Sequence, residues 1–245
     1  MEYLLPILFF FIAFIYSSVG MGGGSSYTSL MVVFGINYIV IPTASLSLNL
    51  IVTSIGMVNF WRNGHGRLSL ILPFLVTSIP MAYFAGLLDL PKGIFQLILL
   101  ITLILVVARI YFLEEFKFSF HLFGAKKWVF IYSLGALLGF VAGSVGIGGG
   151  IYLVPLIVIF GLGSEKEAAA AGTIFIWANS MTGLIARVQK SPLDFDFILP
   201  LIGAVIAGGY VGSYLGSFKF RAKTIQKIMG MVIIFTILFL FKGIL

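Results

Sequence analysis

Residues 3–61 contain no Asp, Glu, Lys or Arg. A helix rises about 1.5 Å per residue, so roughly 20 apolar residues cross a bilayer core of about 30 Å. The stretch therefore belongs in a membrane and is too long for one crossing. Residues 68–88, 128–164, 168–186 and 197–218 are likewise free of charge. The whole chain is 60% hydrophobic and 9% charged, with a mean hydropathy of +1.16. Soluble domains carry about 25% charged residues. The chain is an integral membrane protein by this reading, and soluble enzyme, nucleic-acid binder and secreted module are excluded. The net charge of +7 does not point to nucleic acid, because the basic residues fall in short loops between apolar segments. With no Cys there is no disulfide, zinc-thiolate or iron–sulfur site, and no cofactor is expected. Glu2 stands where a cleavable signal would carry positive charge, so the first apolar run is expected to be retained.

The chain repeats itself. Residues 18–24 read SVGMGGG and residues 144–150 read SVGIGGG. Phe34-Gly35 corresponds to Phe160-Gly161 at the same offset. After a four-residue insertion, Thr43, Asn49, Gly86 and Gln96 match Thr173, Asn179, Gly216 and Gln226. Two homologous halves are expected, 1–113 and 128–245, joined by the polar linker 114–127. Each half opens with an apolar helix (3–18; 128–144) that runs into the glycine cluster, and a short apolar segment follows (25–36; 151–162). Three longer segments complete each half: 39–60, 68–88 and 93–113, then 165–187, 197–218 and 222–242.

A straight helix over 3–36 would be about 50 Å long, well beyond the bilayer core. Glycine is also a poor residue for helix interiors. The chain is therefore expected to turn at each glycine cluster and return as a shorter helix, inside protein or against a water-filled cavity. If both hairpins return, one face holds Arg62, Arg67, Arg109, Lys117, Lys126, Lys127, Lys166, Lys219, Arg221, Lys223 and Lys227. The other holds Lys92, Arg187, Lys190 and Lys242. This asymmetry favours the hairpin, a cytoplasmic linker and both termini outside. The two halves then insert with opposite orientation, as the repeats of secondary transporters do. The expected fold class is an all-α polytopic membrane protein of two inverted-topology repeats, each a glycine-broken helical hairpin plus three transmembrane helices.

Each glycine cluster (Gly22, Gly23, Gly24; Gly148, Gly149, Gly150) leads into a helix start. A helix N-terminus offers unpaired N–H groups and a partial positive charge, and glycine lets an anion approach the backbone. Two inverted turns would aim two such ends at one midplane site, with Ser18, Ser25, Ser26, Ser144 and Tyr152 as neutral donors. The alternative role for the glycines is close helix packing. Thr43, Asn49, Thr173 and Asn179 either complete the anion cage, brace the turns, or join helices by hydrogen bonds. Ser45, Ser47 and Trp177 lie between them and could line the same place. Gln96 and Gln226 read as interhelical ties, and Trp61 and Trp128 as interfacial anchors. His65 and His121 have no acidic neighbours in sequence, so a metal site is not expected.

No carboxylate falls well inside a span, since Asp89, Glu165, Glu167, Asp194 and Asp196 all lie near ends. No obvious proton relay results; Glu167 or the substrate's own protonation are the candidates for coupling. No Arg is expected at the site. The glycine clusters lack a P-loop's Lys-Ser/Thr, HExxH is absent, and no span carries a His to pair with Ser144, so enzyme chemistry is not expected.

The duplicated SVGxGGG, each copy followed by an apolar half-helix and a Thr/Asn-bearing helix, resembles the sulfite exporter TauE/SafE family of bacterial membrane transporters over the whole chain. The resemblance implies a multi-pass protein of the bacterial inner membrane. It would carry small sulfur-containing anions such as sulfite or organosulfonates, with the lipid bilayer and a small anionic substrate as its partners. Ile151-Tyr152 stands where the first copy has Ser25-Ser26, which suits an asymmetric ligand. A passive anion channel with the same filter is the alternative, and a structural protein with packing glycines is a third.

Overall fold

A computed structural model describes residues 4–112, 125–191 and 193–218, with 231, 233, 234, 237 and 238. Among these residues the secondary structure is helical throughout. The elements are α1 (Leu4–Ser17), α2 (Gly24–Val33), α3 (Val40–Arg62), α4 (Leu68–Gly86), α5 (Lys92–Phe112), α6 (Ala125–Val145), α7 (Gly150–Ile159), α8 (Glu165–Arg187) and α9 (Phe195–Phe218). Five of them, α3, α4, α6, α8 and α9, are long and apolar enough to cross a membrane. Of the segment expected at 222–242 only 231, 233, 234, 237 and 238 are described, all of them helical, and Gln226 lies outside the described residues. Most of the linker does too, though its last residues form the first turn of α6.

The helix ends follow from local chemistry. Ser164 caps α8 by accepting from the Glu167 N–H, while the Glu167 carboxylate accepts from the Ser164 N–H. This capping box occupies the carboxylate named as a coupling candidate. Gly35, Gly64 and Gly161 take left-handed φ values just past α2, α3 and α7, where glycine ends a helix without a Cβ clash.

Both expected hairpins are present. The ring of Tyr27 in α2 stacks on that of Phe9 in α1, with centroids 4.8 Å apart. Phe160, just past α7, meets Phe130 of α6 at 5.3 Å. Each returning helix has ten residues, about 15 Å, and so ends far short of a crossing.

α3 and α8 form the centre. In them 67% and 61% of the span window is buried, against 33–44% for α4, α6 and α9. The most extensive contacts around this pair run between α4 and α6 and between α1 and α9. Glycine permits both. Cβ atoms at Gly135, Gly139 and Gly143 of α6 would strike backbone at Phe74, Ser78 and Ala82 of α4. Gly208, Gly212 and Gly216 of α9 stand the same way against Phe10 and Phe14 of α1 and Ser18 just past it. Small residues at four-residue spacing allow this backbone-to-backbone approach in membranes. Within the clusters a Cβ on Gly20 would likewise strike the Ala169 backbone and one on Gly146 that of Pro42, so close packing, the role expected as an alternative, occurs there too.

Candidate functional site

The two glycine turns meet. A Cβ on Gly24 would lie 2.7 Å from the Ile147 carbonyl oxygen and 2.9 Å from that of Gly146. Residues 16–29 and 142–150 are all buried, so the irregular backbone faces protein, as a bilayer requires. The contact lies level with the middle of α8. A Cβ on Gly148 would meet Ile176, the central residue of α8, at 2.7 Å and Asn49 Nδ2 at 3.0 Å.

The leading helices end by different routes. At the first turn the Met21 N–H donates to the Tyr16 carbonyl (2.9 Å) and the Gly20 N–H to Ser17 (3.1 Å). With Gly20 at φ 74° this closes two carbonyls locally. At the second turn Gly146, φ 81°, donates to Ala142 (3.1 Å). The carbonyls after it are met from elsewhere in the chain. Arg187 donates to Gly143 (3.4 Å) and Ser144 (2.6 Å), and Thr28 to Val145 (3.5 Å). Ser45 (2.7 Å) and Asn49 (3.3 Å) donate to Gly146. Buried carbonyls without partners are costly in a bilayer, which is why these side chains converge here.

α2 and α7 both start from a left-handed glycine, Gly23 (φ 92°) and Gly149 (φ 74°), with no side-chain cap. The first bond of α2 runs from the Tyr27 N–H to Gly23 (2.9 Å), so the N–H groups of Gly24, Ser25 and Ser26 head the helix. In α7 the first bonds come from Tyr152 and Leu153 to Gly149. Two helix starts of positive partial charge thus stand beside one another.

The anticipated side chains divide. Asn49 sits between the turns, while Asn179 donates to Phe175 of its own helix (2.8 Å). The Phe175 ring lies 2.9 Å from a Cβ on Gly149. Ser18 and Ser144 donate back to Ile15 (2.6 Å) and Val141 (3.3 Å), and Thr173 to Ala170 (2.7 Å). These hydroxyl hydrogens are committed to their own helices. Ser25 and Ser26 are tied to the Tyr16 hydroxyl at 3.1 and 2.6 Å. Thr43 is buried, and its oxygen has no hydrogen-bond partner among the described residues, while half-buried Tyr152 turns its hydroxyl toward Thr102. Ser47 bonds within α3, and Trp177 joins α8 to Ser54 at 3.0 Å. Gln96 is half-buried on α5, and Trp61 and Trp128 are exposed, as anchors would be.

Residues the sequence left unmarked are Tyr16, Thr28, Ser180 and above all Arg187. Expected at the outer end of the segment 165–187, Arg187 turns its guanidinium to the end of α6. Its position as the last residue of a span was the available signal, since a long cationic side chain can reach several ångströms along its helix. Among the described residues no cluster of three or more His, Asp or Glu could hold a metal.

The family model described as Sulfite exporter TauE/SafE matches residues 5–240. The chain is 30% identical over 233 residues to the probable membrane transporter protein y4hK of Sinorhizobium fredii, covering 94% of each. It is 25% identical over 243 residues to the probable membrane transporter protein YjnA of Bacillus subtilis, covering 91% of this chain and 93% of that one. No solved structure matches it.

Proposed function

We infer, from the premise that the chain belongs to the sulfite exporter TauE/SafE family and is a membrane transporter and not an enzyme, that it exports small sulfur-containing anions such as sulfite or organosulfonates. The passenger binds where the two turns meet. The observation that carries this is the pair of uncapped helix starts at Gly24 and Gly150, with Asn49 set against Gly24 and Gly148. Oxyanions with several oxygens suit converging N–H donors, which need no buried countercharge.

Alternating access by two inverted halves is the working mechanism. The packing supports it: exchanging α1 with α6, α3 with α8 and α4 with α9 turns the α1–α9 contact into the α6–α4 contact and leaves α3–α8 paired. In this reading the linker is cytoplasmic, both termini are outside and the membrane is the bacterial inner membrane. The test is uptake into proteoliposomes of sulfite, sulfonates, sulfate and carboxylates. Saturable uptake of sulfite or a sulfonate, accelerated by the same anion inside, is expected. Single-channel currents would replace the carrier with a passive pore, and carboxylate uptake alone would replace the substrate class.

A further inference from the structure

Asn49 and Asn179 occupy matched positions in the two halves, and both are fully buried on the central helices. Each commits its amide N–H to a backbone carbonyl, Asn49 to Gly146 and Asn179 to Phe175. These bonds fix the amides, because a flipped group would set oxygen against oxygen. Each Oδ1 is then left without a hydrogen bond from any described residue. Asn49 Oδ1 points at the first turn, 2.5 Å from where a Cβ on Gly22 would lie. Ser180, next to Asn179 and equally buried, has an Oγ with no hydrogen bond to any described residue, 3.4 Å from the Cβ position of Gly148.

A site for a bare oxyanion would present donors alone. This one sets the Asn49 amide oxygen beside the helix N–H groups of the first turn. A buried acceptor without a donor is unfavourable and calls for something that completes it. A fully deprotonated oxyanion cannot do so, as it brings only acceptors. A passenger with both an anionic group and an O–H or N–H can.

We propose that the site selects monoanions carrying their own hydrogen-bond donor, such as hydrogensulfite in its O–H form or a hydroxy- or aminosulfonate, and that Asn49 Oδ1 receives that donor. This rests on the transport reading above and narrows its substrate. It also accounts for the missing proton relay: with sulfite, the proton travels on the passenger. A single charge suits a place whose nearest guanidinium, Arg187, is bonded to the Gly143 and Ser144 carbonyls. The described titratable groups around the turns are Tyr16 of α1, Tyr27 of α2, Tyr152 of α7 and Arg187 of α8, and these residue types do not ordinarily titrate near neutrality.

The test compares 2-hydroxyethanesulfonate with propane-1-sulfonate in proteoliposomes. The two have the same charge and nearly the same size and differ by a hydroxyl against a methyl. The first is expected to be carried about tenfold faster at low concentration, the worth of one buried hydrogen bond. Sulfite uptake is expected to fall with the hydrogensulfite fraction as pH rises, while 2-hydroxyethanesulfonate uptake stays level. In Asn49→Leu, checked for monodisperse elution, the ratio is expected to fall toward one. Equal uptake of the two sulfonates by the unaltered protein, or an unchanged ratio in the folded variant, overturns this inference and leaves the transport reading standing. No uptake of any sulfur anion overturns the transport reading and this inference with it.

Discussion

The first and second glycine turns differ at one position in seven, yet they are held by different means. The first is closed from within: Gly20 and Met21 return to carbonyls of α1, and Tyr16 gathers Ser25 and Ser26. The second is held from without, by Thr28, Ser45 and Asn49 of the first half and by Arg187. A near-identical sequence thus gives one self-supporting turn and one that depends on the rest of the bundle. If the two halves move against each other, as the alternating-access proposal has it, the bonds of the second turn to Thr28, Ser45 and Asn49 are the ones that must break or be carried along.

The sharpest way to break this comparison is to damage both turns equally. Gly23→Val and Gly149→Val each put a β-branched residue at left-handed φ, with Tyr27 or Phe175 ring atoms 2.8 or 2.9 Å from the new Cβ. Each should lower sulfite uptake by about a hundredfold or more through misplaced helix starts. Full activity in both would remove the turns from the site.

Arg187→Ala acts on the second turn alone. It leaves the Gly143 and Ser144 carbonyls short of a donor, at a cost of about 1–3 kcal/mol. The expected result is a clear drop in melting temperature in detergent, partly recovered in Arg187→Lys, which restores the charge without the fork.

Tyr16→Phe is the matching change at the first turn. Ser25 and Ser26 lose a shared partner but remain near one another, so about 0.5–1.5 kcal/mol is expected, less than for Arg187→Ala. A larger loss in Tyr16→Phe would reverse the contrast between the turns.

Much of this was legible in the sequence. The segments 39–60, 68–88 and 165–187 became α3, α4 and α8 within two residues at either end, because charge and glycine mark where a helix can leave a membrane. The hairpins were legible because 3–36 cannot fit as one helix. What a hydroxyl bonds to was not. Ser18, Ser144 and Thr173 could as well have faced a ligand, but in a helix the carbonyl three residues back is always within reach. Nor was the support of the second turn, since Thr28 and Ser45 act across more than a hundred residues of chain. The orientation of the asparagine amides is set by carbonyls that only the fold brings near, so the free oxygen could not be told from the free N–H.

The central claim is that the contact between the two turns is the working site. Gly24 lies at that contact, and Gly35 has left-handed φ with open space around it. Gly24→Ala would press on the Gly146 and Ile147 carbonyls, whereas Gly35→Ala meets nothing and carries only backbone strain of about 1 kcal/mol. Sulfite uptake by the two variants, both monodisperse in detergent, is the most direct measurement. The expected result is a loss of about tenfold or more in Gly24→Ala with Gly35→Ala near the unaltered protein. Unimpaired uptake by Gly24→Ala would contradict the account.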